Sequence, residues 1–491
     1  MSLTRIIVAI VLVSACSSPH SAPDADVSTT ALAVFPAEVT IVVGATRGFR
    51  AEVAGDPTVT WKVVEATGGG TIDGDGAYVA PTVPGTFHVE VSSVTTPDLT
   101  ATATVHVVAV PTHATFAAVE TVTISGFQAG EMRLVDVDGD DDVDIISAYG
   151  GSSATSYGAV QLLKNDGTGA FTNVTDTDLT ASQAMHPRDW AVADFNNDGR
   201  LDVAMADHGW DQPPFPGDQS RLFQQTVDGK LADVTATAMP ALSSFTHNIC
   251  AGDLDGDGDV DLLVTNLGPA SNAGAHIYTN GGTGTFSNTS GALTPGTFTS
   301  CAIADLDNDG DLDVYLGNTQ GTTAASDVVL LQANGAFSPS GTLPPRYQDA
   351  SWATVDANAV DLDRDGWLDL VLVVYDANIS KLGLQVLINR GHGMFADGGA
   401  LLPPYPSIGG YWMWATPADL DGSGWPALVI SGNGNEPRVY LHDGTKLYDS
   451  GMTFPGVWRL WPGDVDGDGD IDLVGHGFGD QLYLYRNQRT P

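Results

Sequence analysis

A chain of 491 residues exceeds what one compact core usually holds, about 250–300 residues, unless it is built from repeats. Its 57 Gly and 27 Pro, with abundant Thr and Val, point to many short strands joined by turns. With 60 acidic residues against 19 basic ones, the net charge of −41 argues against nucleic acid and an anionic membrane surface as partners.

At the N-terminus, Arg5 precedes an apolar run from Ile6 to Val13 and then Val13-Ser14-Ala15-Cys16. The run is too short to cross a bilayer as a helix and reads as a secretory signal peptide over residues 1–15. The Val-Ser-Ala-Cys stretch resembles a bacterial lipobox. That resemblance implies lipidation of Cys16 and a chain exported across the inner membrane and anchored to the bacterial cell envelope, at the outer membrane or cell surface. Residues 16–31 are small, polar and Pro-containing, as a flexible tether should be. No second apolar span of about 20 residues follows, so contact with a membrane is expected only through the lipid.

Residues 32–110 read as a separate unit. Short alternating strands, among them Val59-Thr60-Trp61, the stretch from Gly85 to Val91 and a last one from Ala103 to Val107, predict a small β-sandwich. Trp61, the Tyr78-Val79-Ala80-Pro81 stretch and the closing Val-rich strand resemble bacterial Ig-like domains, which implies a spacer. Asp73-Gly74-Asp75 lacks a third oxygen donor at suitable spacing and reads as a turn.

From residue 111 to 491 one loop template recurs seven times. Counting from the first Asp, positions 1, 3, 5, 7 and 9 hold Asp136, Asp138, Asp140, Asp142 and Asp144 in the first loop, and Asp194, Asn196, Asp198, Arg200 and Asp202 in the second. The third has Asp253, Asp255, Asp257, Asp259 and Asp261, and the fourth Asp305, Asp307, Asp309, Asp311 and Asp313. Asp361, Asp363, Asp365, Trp367 and Asp369 form the fifth, and Asp464, Asp466, Asp468, Asp470 and Asp472 the seventh. The sixth, with Asp419, Asp421, Ser423, Trp425 and Ala427, has lost two carboxylates and is expected to bind weakly or not at all.

Side-chain oxygens at positions 1, 3, 5 and 9 converge if position 6 permits a sharp turn, and the chemical variety at position 7 fits a ligand supplied by the backbone carbonyl. An all-oxygen set with several carboxylates suits Ca²⁺, giving about six sites. An EF-hand is excluded: position 12 holds Ser147, Met205, Val264, Leu316, Leu372 and Gly475 in the full loops, never Glu, and the flanks are strands. Such repeated, internally saturated sites predict scaffolding rather than catalysis.

Successive loops start 58, 59, 52, 56, 58 and 45 residues apart, a period that fits one propeller blade of about four strands. Gly-rich hairpins at Asn165, Asn280 and Asn389 alternate with the loops, and nearly apolar strands such as Val260 to Val264 follow them. The expected fold is all-β: a seven-bladed β-propeller preceded by the small Ig-like sandwich. Its ring should be closed by the strand before the first loop joining the last blade. Over roughly residues 112–488 these loops resemble the FG-GAP/VCBS-type repeats of integrin-α-like propellers, a family that includes adhesins, lectin-like proteins and lyase domains.

Cys250 and Cys301 lie just before consecutive loops, and their one-residue offset turns both thiols toward a shared blade interface, which predicts a disulfide. Residues five before each loop form a largely polar ring. Arg188, His247, Trp412, Trp414, Trp458 and Arg459 on or near it are the candidate ligand contacts, because Trp faces stack on sugar rings while polar groups bind hydroxyls. The expected function is non-catalytic binding or adhesion at the cell surface, toward a glycan or an extracellular protein. The alternative is a polysaccharide lyase or other carbohydrate-active enzyme built on the propeller. No serine-hydrolase elbow, zinc motif or phosphate loop supports it.

Overall fold

The computed structural model describes residues 32–488, less the short stretches 36, 44–45, 54–57, 66, 75, 109–113, 115, 268–272, 289–291, 295, 320–326, 334, 346–352, 377–380, 403–407, 410–412, 433–434 and 478–480. The signal peptide, Cys16 and the tether therefore lie outside the described residues, as does Trp412.

The fold is all-β apart from a few single helical turns such as Thr175–Asp178 and Thr235–Ala238. Near the N-terminus, Val59–Val63, Gly85–Ser93, Thr100–Val108 and Glu38–Val42 form a four-stranded sheet whose last pair is parallel. Two smaller sheets accompany it: Leu32–Phe35 with Arg50–Val53, and Thr46–Gly48 with Ala77–Val79 and Thr71–Ile72. Alternation along Gly85–Ser93 buries Val89 and Val91, which pack with Phe49, Tyr78, Ala103 and Val105 into one core. Tyr78 keeps its hydroxyl satisfied by donating to the Gly69 carbonyl at 2.6 Å. Asp73 sits in the turn before Ala77–Val79 and accepts the Ala77 N–H at 2.9 Å.

The rest of the chain folds, among the described residues, into seven antiparallel sheets with a four-stranded core, consistent with propeller blades. The first comprises Glu131–Val135, Asp144–Ala148, Gly158–Lys164 and Thr172–Asn173. The second to sixth sheets begin with Pro187–Ala193, Thr246–Gly252, Phe298–Ala304, Ala353–Val360 and Met413–Ala418. In the seventh, Arg459–Gly463, Asp472–His476 and Gln481–Tyr485 are joined by Glu120–Thr123 from before the first sheet, with Val122 opposite Leu482. The first strands of consecutive sheets neighbour one another in chain order, and the seventh returns to the first. The row closes, so the first and seventh sheets cover each other and neither keeps a bare face.

Second strands such as Asp261–Asn266 are buried at every residue. The reason is that each sheet is covered on both faces, and a separate apolar cluster fills each junction. Trp190, Val192 and Val203 of the second sheet meet Val135, Ile146 and Leu162 of the first. At the closing junction, Trp461, Val474 and Leu482 meet Met132, Ile145 and Leu163.

Polar side chains stitch the same junctions at two levels. At the hairpin after the third strand, Asn280 donates to Val260 O at 3.1 Å within its own sheet and to Phe195 O at 2.7 Å in the preceding one. Asn389 reaches Leu306 O, Asn487 reaches Leu420 O, and Asn165 closes the ring by reaching Val465 O at 2.8 Å. At the other level, Asp189 accepts from Asn248 at 2.8 Å, Asn248 accepts the Cys301 N–H at 3.1 Å, and Asp356 accepts the Ala415 N–H at 2.9 Å.

Asn280→Ala should therefore lower unfolding free energy by about 1–3 kcal/mol, since it strands two buried carbonyls that belong to different sheets. Chemical denaturation in calcium-containing buffer measures this; a loss below the experimental error would mean that the bridge carries no load.

Candidate metal loops and the opposite face

Each Asp-rich loop joins the first strand of a sheet to the second, so all seven lie at one end of the sheets. The third shows the wiring. Asp253 accepts the N–H groups of Gly256 at 2.8 Å and Gly258 at 2.9 Å, wrapping the backbone around its carboxylate. Asp257 accepts the Asp259 N–H at 2.9 Å. Asp261 lies at the start of the second strand and is fully buried; one oxygen accepts the Leu254 N–H at 3.0 Å, the other the Asn280 N–H at 2.8 Å.

The wrap needs a left-handed residue at position 4. Gly256 supplies it at φ +80°, whereas Asn197, Asn308 and Arg364 adopt +58°, +55° and +57°. Position 6 is left-handed as well, with Gly258 at +92°; in the first loop Asp141 holds that conformation at +71° without being glycine.

Positions 1, 3 and 9 come together. The ligating oxygens of Asp136, Asp138 and Asp144 lie within 4.8 Å of one another, and so do those of Asp253, Asp255 and Asp261, of Asp305, Asp307 and Asp313, and of Asp361, Asp363 and Asp369. The position 5 carboxylate stands beside this group with one oxygen on the position 7 N–H, as in Asp140 to Asp142, Asp309 to Asp311, Asp365 to Trp367 and Asp468 to Asp470. In the second loop Asp198 accepts the Arg200 N–H and also pairs with the Arg200 guanidinium.

At position 3 one carboxylate oxygen is left over. Oδ1 of Asp138, Asp307, Asp363 and Asp466 is buried and accepts no hydrogen bond among the described residues. Lys164 and Arg486 pair with the other oxygen of Asp138 and Asp466, at 3.1 and 2.8 Å. A buried anionic oxygen with no donor is costly, and converging carboxylates repel. The donor set thus fits a hard cation.

A family description, FG-GAP-like repeat, matches residues 136–205, 215–264, 267–316 and 361–430. The repeats are FG-GAP-like. Their acidic clusters have the spacing typical of FG-GAP calcium sites. The chain is also distantly similar to cartilage acidic protein 1. The frog protein (Xenopus tropicalis) is 29% identical over 167 residues, 32% of this chain and 24% of that one. The mouse protein (Mus musculus) is 27% identical over 187 residues, 36% and 27% of the two chains. The chain thus matches about a quarter of the length of these relatives. Among solved structures, BBS1N in complex with ARL6DN is 12% identical, with 77% of this chain and 97% of that chain covered and a TM-score of 0.44. The periplasmic gluconolactonase PpgL of Pseudomonas aeruginosa is 13% identical, with 76% and 100% covered and a TM-score of 0.39.

Two of the FG-GAP-like loops touch the N-terminal sheets. Arg47 is fully buried with Nη2 4.0 Å from Asp361, and burial pulls it down to about 10 despite the carboxylates of Asp361, Asp363 and Asp365. In the sixth loop the turn survives the loss of two carboxylates, because Asp419 accepts the Gly424 N–H at 2.8 Å and Ser423 Oγ accepts the Trp425 N–H at 3.1 Å. Trp425 stacks on His442 at 4.5 Å and joins the core of the N-terminal sheets. This loop has become a docking element. Trp367 at the same position of the fifth loop is buried against His392.

The candidate ligand contacts lie at the far end of the sheets, roughly 20 Å from the loops at about 3.3 Å per strand residue. Arg459 pairs with Glu131 and lies over the ring of Trp414 at 3.7 Å. Trp458 is half-buried and its ring meets His476 edge-on at 6.3 Å. Arg188 Nη2 is 3.3 Å from Asp211, and His247 packs on His208 at 4.5 Å. Sequence reasoning missed His186, His208 and Asp211 here. The ring of residues five before each loop is largely spent on sheet-to-sheet bonds, through Asp189, Asn248 and Asp356. Cys250 and Cys301 form a disulfide between the third and fourth sheets.

Burial pushes Asp144, Asp202, Asp261, Asp313 and Asp472 up to about 7, and Asp369, beside Asp363, up to about 9. Groups raised from 3.8 bind more protons folded than unfolded. The stability of metal-free protein should therefore fall as pH rises from 3.8 through about 7. A bound cation needs these carboxylates ionised, so its stabilisation should grow over the same window. Melting temperature against pH, with chelator and with calcium, tests this; parallel curves would contradict it.

Proposed function

We propose that the chain is a calcium-stabilised, seven-bladed propeller that binds a glycan or an extracellular protein on the face opposite its Asp-rich loops. An Ig-like spacer would carry the propeller, and lipid at Cys16 would hold it to the bacterial envelope. The observation that carries the calcium reading is the leftover buried oxygen at position 3, recurring beside the fully buried Asp at position 9. Calcium would be held by positions 1, 3, 5 and 9, with the position 7 carbonyl, in the six loops that keep their carboxylates. It would neutralise charge that the fold brings together.

The loops are a poor place for chemistry. Their position 1 carboxylates are tied to their own backbone, and the N-terminal sheets reach the fifth loop through Arg47 and the sixth through Trp425. The opposite face keeps a half-buried Trp458, Arg188 with a partly exposed Asp211, and the neighbouring histidines. An indole face and hydrogen-bonding groups on one end of the sheets suit a sugar ring, whose C–H face stacks while its hydroxyls pair.

Glycan-array binding, run beside turnover assays on uronic-acid polymers, tests this reading. Binding without cleavage is expected, weakened about tenfold by Trp458→Ala, about 1.4 kcal/mol. Cleavage that is lost in Arg188→Ala or His247→Ala would overturn it in favour of a carbohydrate-active enzyme.

A further inference from the structure

On the face away from the Asp-rich loops, the second sheet brings two histidines and a carboxylate together. His186 stands just before the strand Pro187–Ala193, and His208 just after its partner Asp202–Asp207. Pairing of Pro187 with Asp207 sets the two histidines side by side, and the loop beyond returns Asp211 to them. One ligating atom from each of the three lies within 4.8 Å of the others.

The backbone around them is fixed by one buried carboxylate. Asp207 accepts the N–H groups of Met185 and His186, each at 2.8 Å, and of Gly209 at 3.0 Å. The His208 N–H donates to His186 O at 3.1 Å, locking the two segments together. His208 itself is 1% exposed, walled by Phe245 and His247. Its Nδ1 faces Gly209 O at 3.3 Å, a contact that requires a proton on Nδ1. Nε2 then carries the lone pair, and that atom is buried with no hydrogen-bond partner among the described residues. A metal-binding imidazole has this arrangement: one nitrogen anchored on a carbonyl, the other bare.

We propose that His186 and His208 with Asp211 form a transition-metal site, separate from the Asp-rich loops, whose expected ion is Zn²⁺. Two imidazole nitrogens and one carboxylate favour zinc over calcium, which takes oxygen donors. Three protein ligands leave a coordination position open, and Asp211, with its side chain 45% exposed, places that opening toward solvent. Arg188 pairs with one Asp211 oxygen at 3.3 Å; the second oxygen remains for the metal. The site lies on the candidate ligand face, but it does not depend on a glycan being the ligand.

The test uses the full chain, stripped with chelator and then saturated with Ca²⁺ so that the Asp-rich loops are filled. Zn²⁺ is titrated by calorimetry and Co²⁺ by its visible absorption. A single tight equivalent is expected, with a cobalt spectrum of low coordination number. Affinity should drop about tenfold or more in His186→Ala and in Asp211→Asn, both at partly open positions that should leave the fold and the calcium-dependent melt intact. Absence of Zn²⁺ binding in the calcium-saturated protein would overturn the proposal. So would binding of equal strength in both variants, which would place the ion elsewhere.

Discussion

The structure turns on a buried carboxylate that recurs at position 9 of the Asp-rich loops. Asp261 shows its reach: it holds the loop through Leu254, the third-strand hairpin through Asn280, and the candidate metal position through Asp253 and Asp255. Asp144, Asp313, Asp369 and Asp472 do the same with Asn165, Gln332, Asn389 and Asn487. Each of these amide-bearing residues at the end of a third strand then bonds to the loop of the preceding sheet, so a local charge problem is coupled to ring assembly. A cation that satisfies the carboxylates would stiffen a loop, a hairpin and a junction together.

The departures from the template are informative for the same reason. Where the sixth loop loses two carboxylates, His442 replaces the hairpin amide and stacks on Trp425. Aromatic packing against the N-terminal sheets stands there in place of an acidic cluster. At the fifth loop Arg47 brings a fixed positive charge from those sheets to a cluster of four carboxylates. Docking of the N-terminal sheets and the electrostatics of two loops are thus one problem.

Much of this was legible in the sequence, because the signals were local. Fixed oxygen spacing within nine residues, a steady period and apolar second strands are enough to read the repeat, the all-β fold and the return of Val122 to the last sheet. What was not legible arises from contacts between distant residues. No local pattern announces that Asn165 bonds to Val465, that Trp425 belongs to an N-terminal core, or that Asp189 and Asp356 serve neighbouring strands rather than a ligand. His186 and His208 lie apart in sequence and meet only through strand register; pairing Pro187 with Asp207 was the signal that could have found them.

If calcium in the Asp-rich loops holds the ring together, thermal melting of the full chain before and after exhaustive chelation should show it. Melting temperature should fall clearly on chelation and be restored by Ca²⁺ but not by Mg²⁺. Each site at a hundredfold excess of ligand over its dissociation constant is worth about 2.7 kcal/mol. An unchanged midpoint after chelation would contradict it.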